Sequence, residues 1–322
     1  MNGNGAKKII AAFTAVVMLV LTAGCGVKYP VRNDGKIRVL QFNVQTENGN
    51  HAPFETRAKM YRKLIDELRP DVVGMEEVTV TWRKWLDDKV FNRSYASVGE
   101  PRTEGGEANP IYYRKDRFEL VDSGTFWLSE TPDVKGSQVD GANYPRICTW
   151  VLLKEKSTGR EFIHLNTHLD HNGNNDSGTA ATIRKTQIGA IIKFAQQYKD
   201  LPMFLTGDLN NRRTRSGGET YVLIQMLEGS LPFTDAEGNE YTIALADARL
   251  NAKSTIDGDH IATMVANYDE SNKNYQPSKE PIDYVFYSPD YFEALSYETF
   301  LIKKDDVVIS DHLPVYAVFE FK

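Results

Sequence analysis

Residues 307–319 read VVISDHLPVYAVF. The run has the texture of a buried strand, broken in its middle by Ser310-Asp311-His312-Leu313-Pro314. Burying an unpaired carboxylate costs on the order of several kcal/mol, so Asp311 beside His312 needs a partner or a task. Pro314 marks where the strand resumes, a position where a missing N–H does least harm. A strand end that delivers a carboxylate and an imidazole together is a pattern worth tracing outward through the chain.

It recurs. IRVLQFNV (37–44), DVVGMEEV (71–78), PIYYR (110–114), TWVLLKE (149–155), EFIHLNTHL (161–169), PMFLTGDL (202–209), IDYVFYS (282–288) and VYAVFEF (315–321) are rich in β-branched and aromatic residues and read as strands. Side chains alternate across a strand. In EFIHLNTHLDH, Ile163, Leu165 and Leu169 therefore face one way and His164, Asn166, His168 and Asp170 the other. The apolar rhythm yields to Asn43 after the first strand, to Glu76-Glu77 after the second and to Asp208 and Asn210 after PMFLTG; Asp283 opens IDYVF. Carboxylates and amide oxygens gathered this way suit a hard cation, Mg²⁺ or Mn²⁺. Imidazoles beside them suit proton transfer near neutral pH. No strand end offers a Ser or Cys nucleophile with a neighbouring base, and no G-x-S-x-G occurs, which disfavours a hydrolase of the acyl-enzyme kind.

Between the strands, FETRAKMYRKLIDELRP (54–70) places Met60, Leu64 and Leu68 on one stripe and stops at Pro70; TAATIRKTQIGAIIKFAQQYK (179–199) reads as a second helix. The Ser157-Thr158-Gly159 link makes 149–155 and 161–169 a hairpin. Antiparallel pairing of this kind favours two packed mixed sheets with outer helices over a purely parallel sheet.

The chain has 322 residues and an ordinary globular composition, 41% hydrophobic and 25% charged. Lys7-Lys8 followed by the apolar IIAAFTAVVMLVL (9–21) and TAGC resembles a bacterial lipoprotein signal ending at Cys25, although Thr22 stands where such signals usually carry Leu. The expectation is a leader over 1–24, a lipid-anchored tether over 25–35 and one domain over 36–322, exported and held to a membrane of the cell envelope through Cys25. With Cys25 acylated, Cys148 is left as a buried small hydrophobe. Removing the leader takes the net charge from −6 to −8, which argues against avid, non-specific nucleic-acid binding.

FNV, VVGMEEV, NTHLDH, TGDLN, IDYVF and SDHLPV, in that order over about 37–320, resemble the endonuclease/exonuclease/phosphatase superfamily, the DNase I-like fold. The resemblance implies an α/β (α+β type) architecture, a four-layer sandwich of two packed mixed β-sheets flanked by helices. It implies Mg-dependent cleavage of a phosphoester by direct attack of water. Residue by residue it makes Glu77 a metal ligand with Asn43 beside the metal and Asp311 near it. Asp208 would position the attacking water, Asn210 would contact phosphate, His312 would be the general base, Asp283 would orient it, and His168 would bind phosphate or assist the leaving group. Glu76 stands where the motif usually has Gln; strand alternation would turn it away from the site that Glu77 enters.

Arg146 and Arg114 are candidates for phosphate contact, with Arg114 equally able to pair with Asp116. Asp170 and His171 are candidates to line the pocket. His164 reads as structural, and His51 and His260 as loop residues. The arginines of NNRRTRSGGE (210–219) could grip an anion at the rim. The substrate is a phosphoester, with a phosphodiester favoured over a sugar or inositol monophosphate or a sphingomyelin-like lipid; the Phe126-Trp127-Leu128 run reads as strand rather than membrane-seeking hairpin. The stretches TFWLSETPD and PRICTW resemble a secreted or lipid-anchored bacterial subgroup. A binding lipoprotein that had lost catalysis would lack a base or a metal ligand, and none of these is missing. No protein partner is implied.

Overall fold

Alternation along the strands separates two kinds of face, and the molecule is built by stacking them. In a computed structural model, residues 32, 34–47, 53–91, 93–171, 179–214, 221–256, 262–265, 280–304 and 307–322 are described. Cys25 and the leader, His51, His260 and residues 215–219 lie outside them. The strands of the two large sheets are β1 (Lys36–Asn43), β2 (Val72–Glu76), β3 (Tyr95–Val98), β4 (Ile111–Arg114), β5 (Phe118–Trp127), β6 (Ile147–Glu155), β7 (Glu161–His168) and β8 (Met203–Asp208), followed by Ala246–Asp247, Ser254–Ile256, Asp283–Tyr287, Phe292–Thr299 and Val315–Phe321. One sheet runs, in spatial order, Ser254–Ile256, Phe292–Thr299, Val315–Phe321, β1, β2, β4, β3. The other runs Ala246–Asp247, Asp283–Tyr287, β8, β7, β6, β5. Both are mixed: β1–β2 and β7–β8 are parallel, whereas β1 pairs antiparallel with Val315–Phe321 and β6 antiparallel with β7.

Three apolar layers follow. Ile37, Val39, Val72, Phe162, Phe204, Val285, Ala317 and Phe319 pack between the sheets. Leu40, Phe42, Val73 and Met75, on the other face of the first sheet, pack on α1 (Phe54–Leu68) and α2 (Val80–Trp85) through Tyr61, Leu64 and Trp82. Ile163, Leu165, Met203 and Leu205 meet α3 (Thr179–Ala195) and α4 (Val222–Leu227) through Ile188, Ile192 and Leu227. This is the four-layer sandwich expected, and Cys148 is the buried, unpaired thiol expected within it. The 126–127 stretch ends β5 and is buried. No helix among the described residues is long and apolar enough to cross a membrane.

Two long strands escape the sequence pattern, β5, but for its 126–127 end, and Phe292–Thr299, and both are irregular. β5 is the edge of its sheet and shifts register between Leu120 and Asp122, and Phe292–Thr299 shifts between Ala294 and Ser296. A bulge breaks the period of two on which the reading depends.

The gap between the sheets changes character along its length. At one end it is aromatic, with Phe162, Phe204 and Phe319. Two residues further along the same strands stand His164 and Thr206, joined at 2.8 Å, then Asn166, whose Nδ2 donates to the Met75 carbonyl at 3.0 Å. Gly74 lets the sheets approach there, because a Cβ would collide with Asn166 Oδ1 and Thr206 Oγ1. Two more residues along come His168, Asp208, Asn43 and Asp283. The far, aromatic end is clamped by Arg117, which donates to the Lys36 carbonyl at 2.6 Å, to Glu155 Oε1 at 2.5 Å and 2.9 Å, and pairs with Asp71 at 2.9 Å.

Candidate active site

Every strand entering the polar end brings one functional side chain. Asp283 pairs in register with Asp208, and His168 with Asp208, so three strands of the second sheet set Asp283, Asp208 and His168 side by side. The first sheet supplies Asn43 opposite Glu76. The Ser310-Asp311-His312 break then folds over the end. Ser310 Oγ donates to the Asn43 carbonyl at 2.8 Å and accepts from the His312 N–H at 3.1 Å, so the break is fastened to the tip of β1. Thr263 holds the other side: its Oγ1 accepts from the Asp283 N–H at 3.1 Å and its carbonyl from the Leu313 N–H at 2.6 Å.

The result is a connected constellation. His312 Nδ1 and Asp283 Oδ2 are 2.8 Å apart, and His312 Nε2 lies 3.7 Å from Asp208 Oδ2. Asn43 Nδ2 donates to Asp208 Oδ2 at 3.0 Å and to Glu77 Oε1 at 3.1 Å. Asn210, held at φ 47°, faces His168 Nε2 at 3.0 Å, and its own N–H caps Asp208 Oδ1 at 2.8 Å. Gln41 Nε2 bridges Glu76 Oε2 at 2.7 Å and Asp283 Oδ1 at 3.0 Å.

These groups open onto a cavity of about 330 Å³ lined by Glu77, His168, Asp208, Asn210, Asp311 and His312 together with Arg102, Glu107, Tyr144, Arg146 and His171. Burial alone would hold His312 down, but the Asp283 and Asp208 carboxylates overcome it and raise it well above the usual histidine range. His168 goes the other way, pushed well below by burial and by the Arg146 cation. Burial and the Asp283 charge raise Asp208 to about 7. The two imidazoles of one site are thus driven apart, His312 upward and His168 downward, the division of labour that acid–base chemistry uses.

Four sequence expectations are corrected. Glu76 does not turn away: β2 ends on it, fully buried and facing the gap between the sheets, where burial followed by Asp283 and Asp208 push its carboxyl well above the normal range. Glu77 has left the strand at φ 58° and turns toward the same site, so alternation no longer separates the two. Arg114 does not reach the cavity; it sits beside Asp71 at the opposite end of the sheet and pairs with Asp116 at 2.6 Å. Asp170 does not line the cavity either. It is buried behind it, accepting from the Asn143 N–H at 3.0 Å and standing 3.9 Å from Arg146 Nε, so it shapes the loop that carries Arg146. Arg213, one of the expected rim arginines, is taken up by Glu228 at 2.6 Å and Asp247 at 3.6 Å.

Arg146 and His171 do line the cavity, 3.0 Å apart, and His164 is structural. Arg102, Glu107 and Tyr144 escape the sequence reading. Arg102 and Glu107 stand in the polar stretch GEPRTEGGE, without strand periodicity to orient them; Tyr144, two residues before Arg146, carried a signal in its neighbour. Gln41 was legible, since alternation along β1 puts it on the same face as Asn43.

Two donor sets could hold a cation. Donor atoms of Asp208, Asp283 and His312 all lie within 4.8 Å of one another. Glu77 and Asp311 offer carboxylate oxygens at the cavity wall, donors that suit a hard divalent ion, whereas the Asn43 Oδ1 already accepts from the Gln45 N–H at 3.0 Å and its Nδ2 faces Glu77 and Asp208. His312 Nδ1 and Asp283 Oδ2 likewise already hold each other.

A search of curated proteins finds no match. Among solved structures, the chain is similar to an endonuclease/exonuclease/phosphatase from Bacteroides vulgatus, with 27% identity, a TM-score of 0.72, and 89% of this chain and 99% of that chain covered. It is similar to a mannosyl-6-phosphatase of Bacteroides thetaiotaomicron, with 26% identity, a TM-score of 0.69, and 89% and 99% covered. The human Nocturnin catalytic domain with bound sulfate shares the fold at 19% identity, a TM-score of 0.63, and 89% and 95% covered. The sequence profile of the Endonuclease/Exonuclease/phosphatase family matches residues 40–312, which span the whole constellation from β1 to His312, and the chain belongs to that family.

Proposed function

We propose that this protein is a divalent-cation-dependent hydrolase of phosphoesters, using water directly and no covalent intermediate on the enzyme. The observation that carries it is the buried His312–Asp283 pair at 2.8 Å, with Asp208 3.7 Å beyond the free Nε2. His312 Nε2 faces the cavity as the atom that takes a proton from water. Asp283 holds Nδ1–H and stabilises the imidazolium that forms, and Gln41 keeps Asp283 in place. Asp208, fixed by Asn43 and by the Asn210 N–H, orients the water. Neutral His168, held by the Asn210 amide at 3.0 Å, is placed for the phosphoryl oxygens. Glu77 and Asp311 would hold the cation, with Asn43 beside it steadying Glu77 at 3.1 Å, and the cation would supply charge stabilisation for the phosphoryl group and leaving oxygen. The kinship with a mannosyl-6-phosphatase supports phosphoester chemistry.

The test is turnover of p-nitrophenyl phosphate and bis-p-nitrophenyl phosphate with Mg²⁺, with Mn²⁺ and with EDTA. Release should require metal and fall by at least about 100-fold in His312→Ala, the usual size of a lost general base. Wild-type rates in His312→Ala would overturn the assignment.

The proposal extends to location: export and acylation at Cys25, resting on the TAGC pattern alone. Radiolabelled palmitate should enter the wild-type protein in a bacterial host and not Cys25→Ala. Equal labelling would refute it.

A further inference from the structure

We infer that the Arg146–Arg102 wall makes the cavity a receptor for a phosphate dianion, so that phosphomonoesters are preferred to diesters. This rests on the phosphoester reading above and reverses the diester expected from sequence. Arg146 is buried at 3% exposure and its Nε has no hydrogen-bond partner among the described residues. A buried guanidinium N–H without an acceptor is costly, and native structures keep such a group where a ligand supplies the missing partner. The nearest carboxylate oxygen, on Asp170, stands 3.9 Å from Nε, outside hydrogen-bond reach. Among the described residues Nη2 meets a ring nitrogen, His171 Nδ1 at 3.0 Å.

Arg102 adds a second cation to the same wall. Its guanidinium lies 4.5 Å from the centre of the Tyr144 ring and 3.1 Å from Glu107 Oε2, and that of Arg146 lies 5.8 Å from the same ring. Tyr144 thus holds both cations at the cavity, with His171 stacked on it at 5.8 Å. The cations also act on one another: burial and then Arg102 lower Arg146, against the pull of Asp170 and Glu107, and burial and then Arg146 lower His171.

Stoichiometry decides the class. A diester offers two non-bridging oxygens and one negative charge. A monoester offers three and, near neutrality, two charges. Asn210 Nδ2 is already spent on the Leu169 carbonyl at 3.0 Å and on His168 Nε2, so the cavity's donors to an anion are the guanidinium groups of Arg146 and Arg102. Two guanidinium cations match the two charges of a monoester, and their several N–H groups find more acceptors in its three oxygens than in a diester's two.

The experiment uses the purified full-length protein with Mg²⁺, comparing p-nitrophenyl phosphate with bis-p-nitrophenyl phosphate and measuring inorganic phosphate binding by calorimetry. Wild type should show kcat/KM at least 10-fold higher for the monoester. Arg102→Gln and Arg146→Lys should each lose 10-fold or more on the monoester and less than 3-fold on the diester, collapsing the ratio. Arg102 is at the rim, so its variant keeps the test valid should the buried Arg146→Lys fail to fold; thermal unfolding establishes which did. A diester preference, or equal losses on both esters, overturns the inference while leaving the hydrolase reading intact. Phosphate binding that weakens 10-fold in Arg102→Gln, with neither ester hydrolysed, supports the dianion receptor and sinks the hydrolase. No hydrolysis and no phosphate binding overturns both.

Discussion

His164 shows how one side chain can carry an environmental sensitivity without touching chemistry. Its Nε2 meets Thr206 Oγ1 at 2.8 Å, its Nδ1 has no partner among the described residues, and burial lowers it to about 3. Between the unfolded value near 6.5 and that depressed value, the unfolded chain takes up a proton the folded one refuses. Stability is therefore present above about pH 6.5 and is lost as pH falls, at about 1.4 kcal/mol per pH unit. Urea unfolding at pH 7 and pH 5 should show wild type losing about 2 kcal/mol more than His164→Gln. The same loss in both proteins would show that His164 is not the acid-sensitive group. Sequence made His164 readable as structural, because it sits two alternations upstream of His168 in β7. It did not make the partner readable, since Thr206 comes from a different strand.

At the scale of elements, the site was legible wherever a regular strand ended in it. β1, β7 and β8 keep their period to the last residue, so Asn43, His168 and Asp208 land where alternation puts them. The reading fails where backbone leaves that period. Glu77 at φ 58° is one case, and the loop carrying Arg102 is another. Arg114 failed for a different reason: a basic residue on a strand reads the same at either end, and only the pairing of β4 with β2 shows which end it occupies. The element-level constraint that the sequence hid best is Gly74. It is the one inward position of β2 that must be small, because Asn166 and Thr206 cross the gap there. Gly74→Ala should push the sheets apart and cost about 1–3 kcal/mol by overpacking, read as a lower urea midpoint with an unchanged slope. Wild-type stability would mean the gap is slack.

Taken whole, the molecule is a sandwich pinned at one end and chemically open at the other. Arg117 joins the first sheet, through the Lys36 carbonyl and Asp71, to the second, through Glu155. Removing one partner of a buried ionic cluster leaves the others uncompensated, so Arg117→Ala should lower stability by about 3–5 kcal/mol. Turnover per folded molecule should stay within 2-fold, because the cluster lies at the far ends of the strands that build the site. A large fall in kcat without a fall in stability would contradict this division. The order of the motifs, the strand alternation and the 149–155/161–169 hairpin pointed to this architecture from the sequence. The clamp did not show, since Asp71, Arg117 and Glu155 lie far apart in the chain and none belongs to a motif.

Arg57, on α1, has a comparable reach at the site itself. Its guanidinium donates to the carbonyls of Val44, of Gln45 at 2.6 Å, of Thr46 at 3.0 Å and of Ile309 at 2.8 Å, and it lies 5.3 Å from the Trp82 ring centre. One arm therefore ties the segment leaving Asn43 to the segment entering His312. Every atom it grips belongs to the main chain, which all amino acids share. A substitution at 44, 45, 46 or 309 leaves these acceptors in place, whereas Arg57 supplies every donor of the tether. The spacing of the two catalytic segments thus depends on one guanidinium from a helix that adds no group to the chemistry.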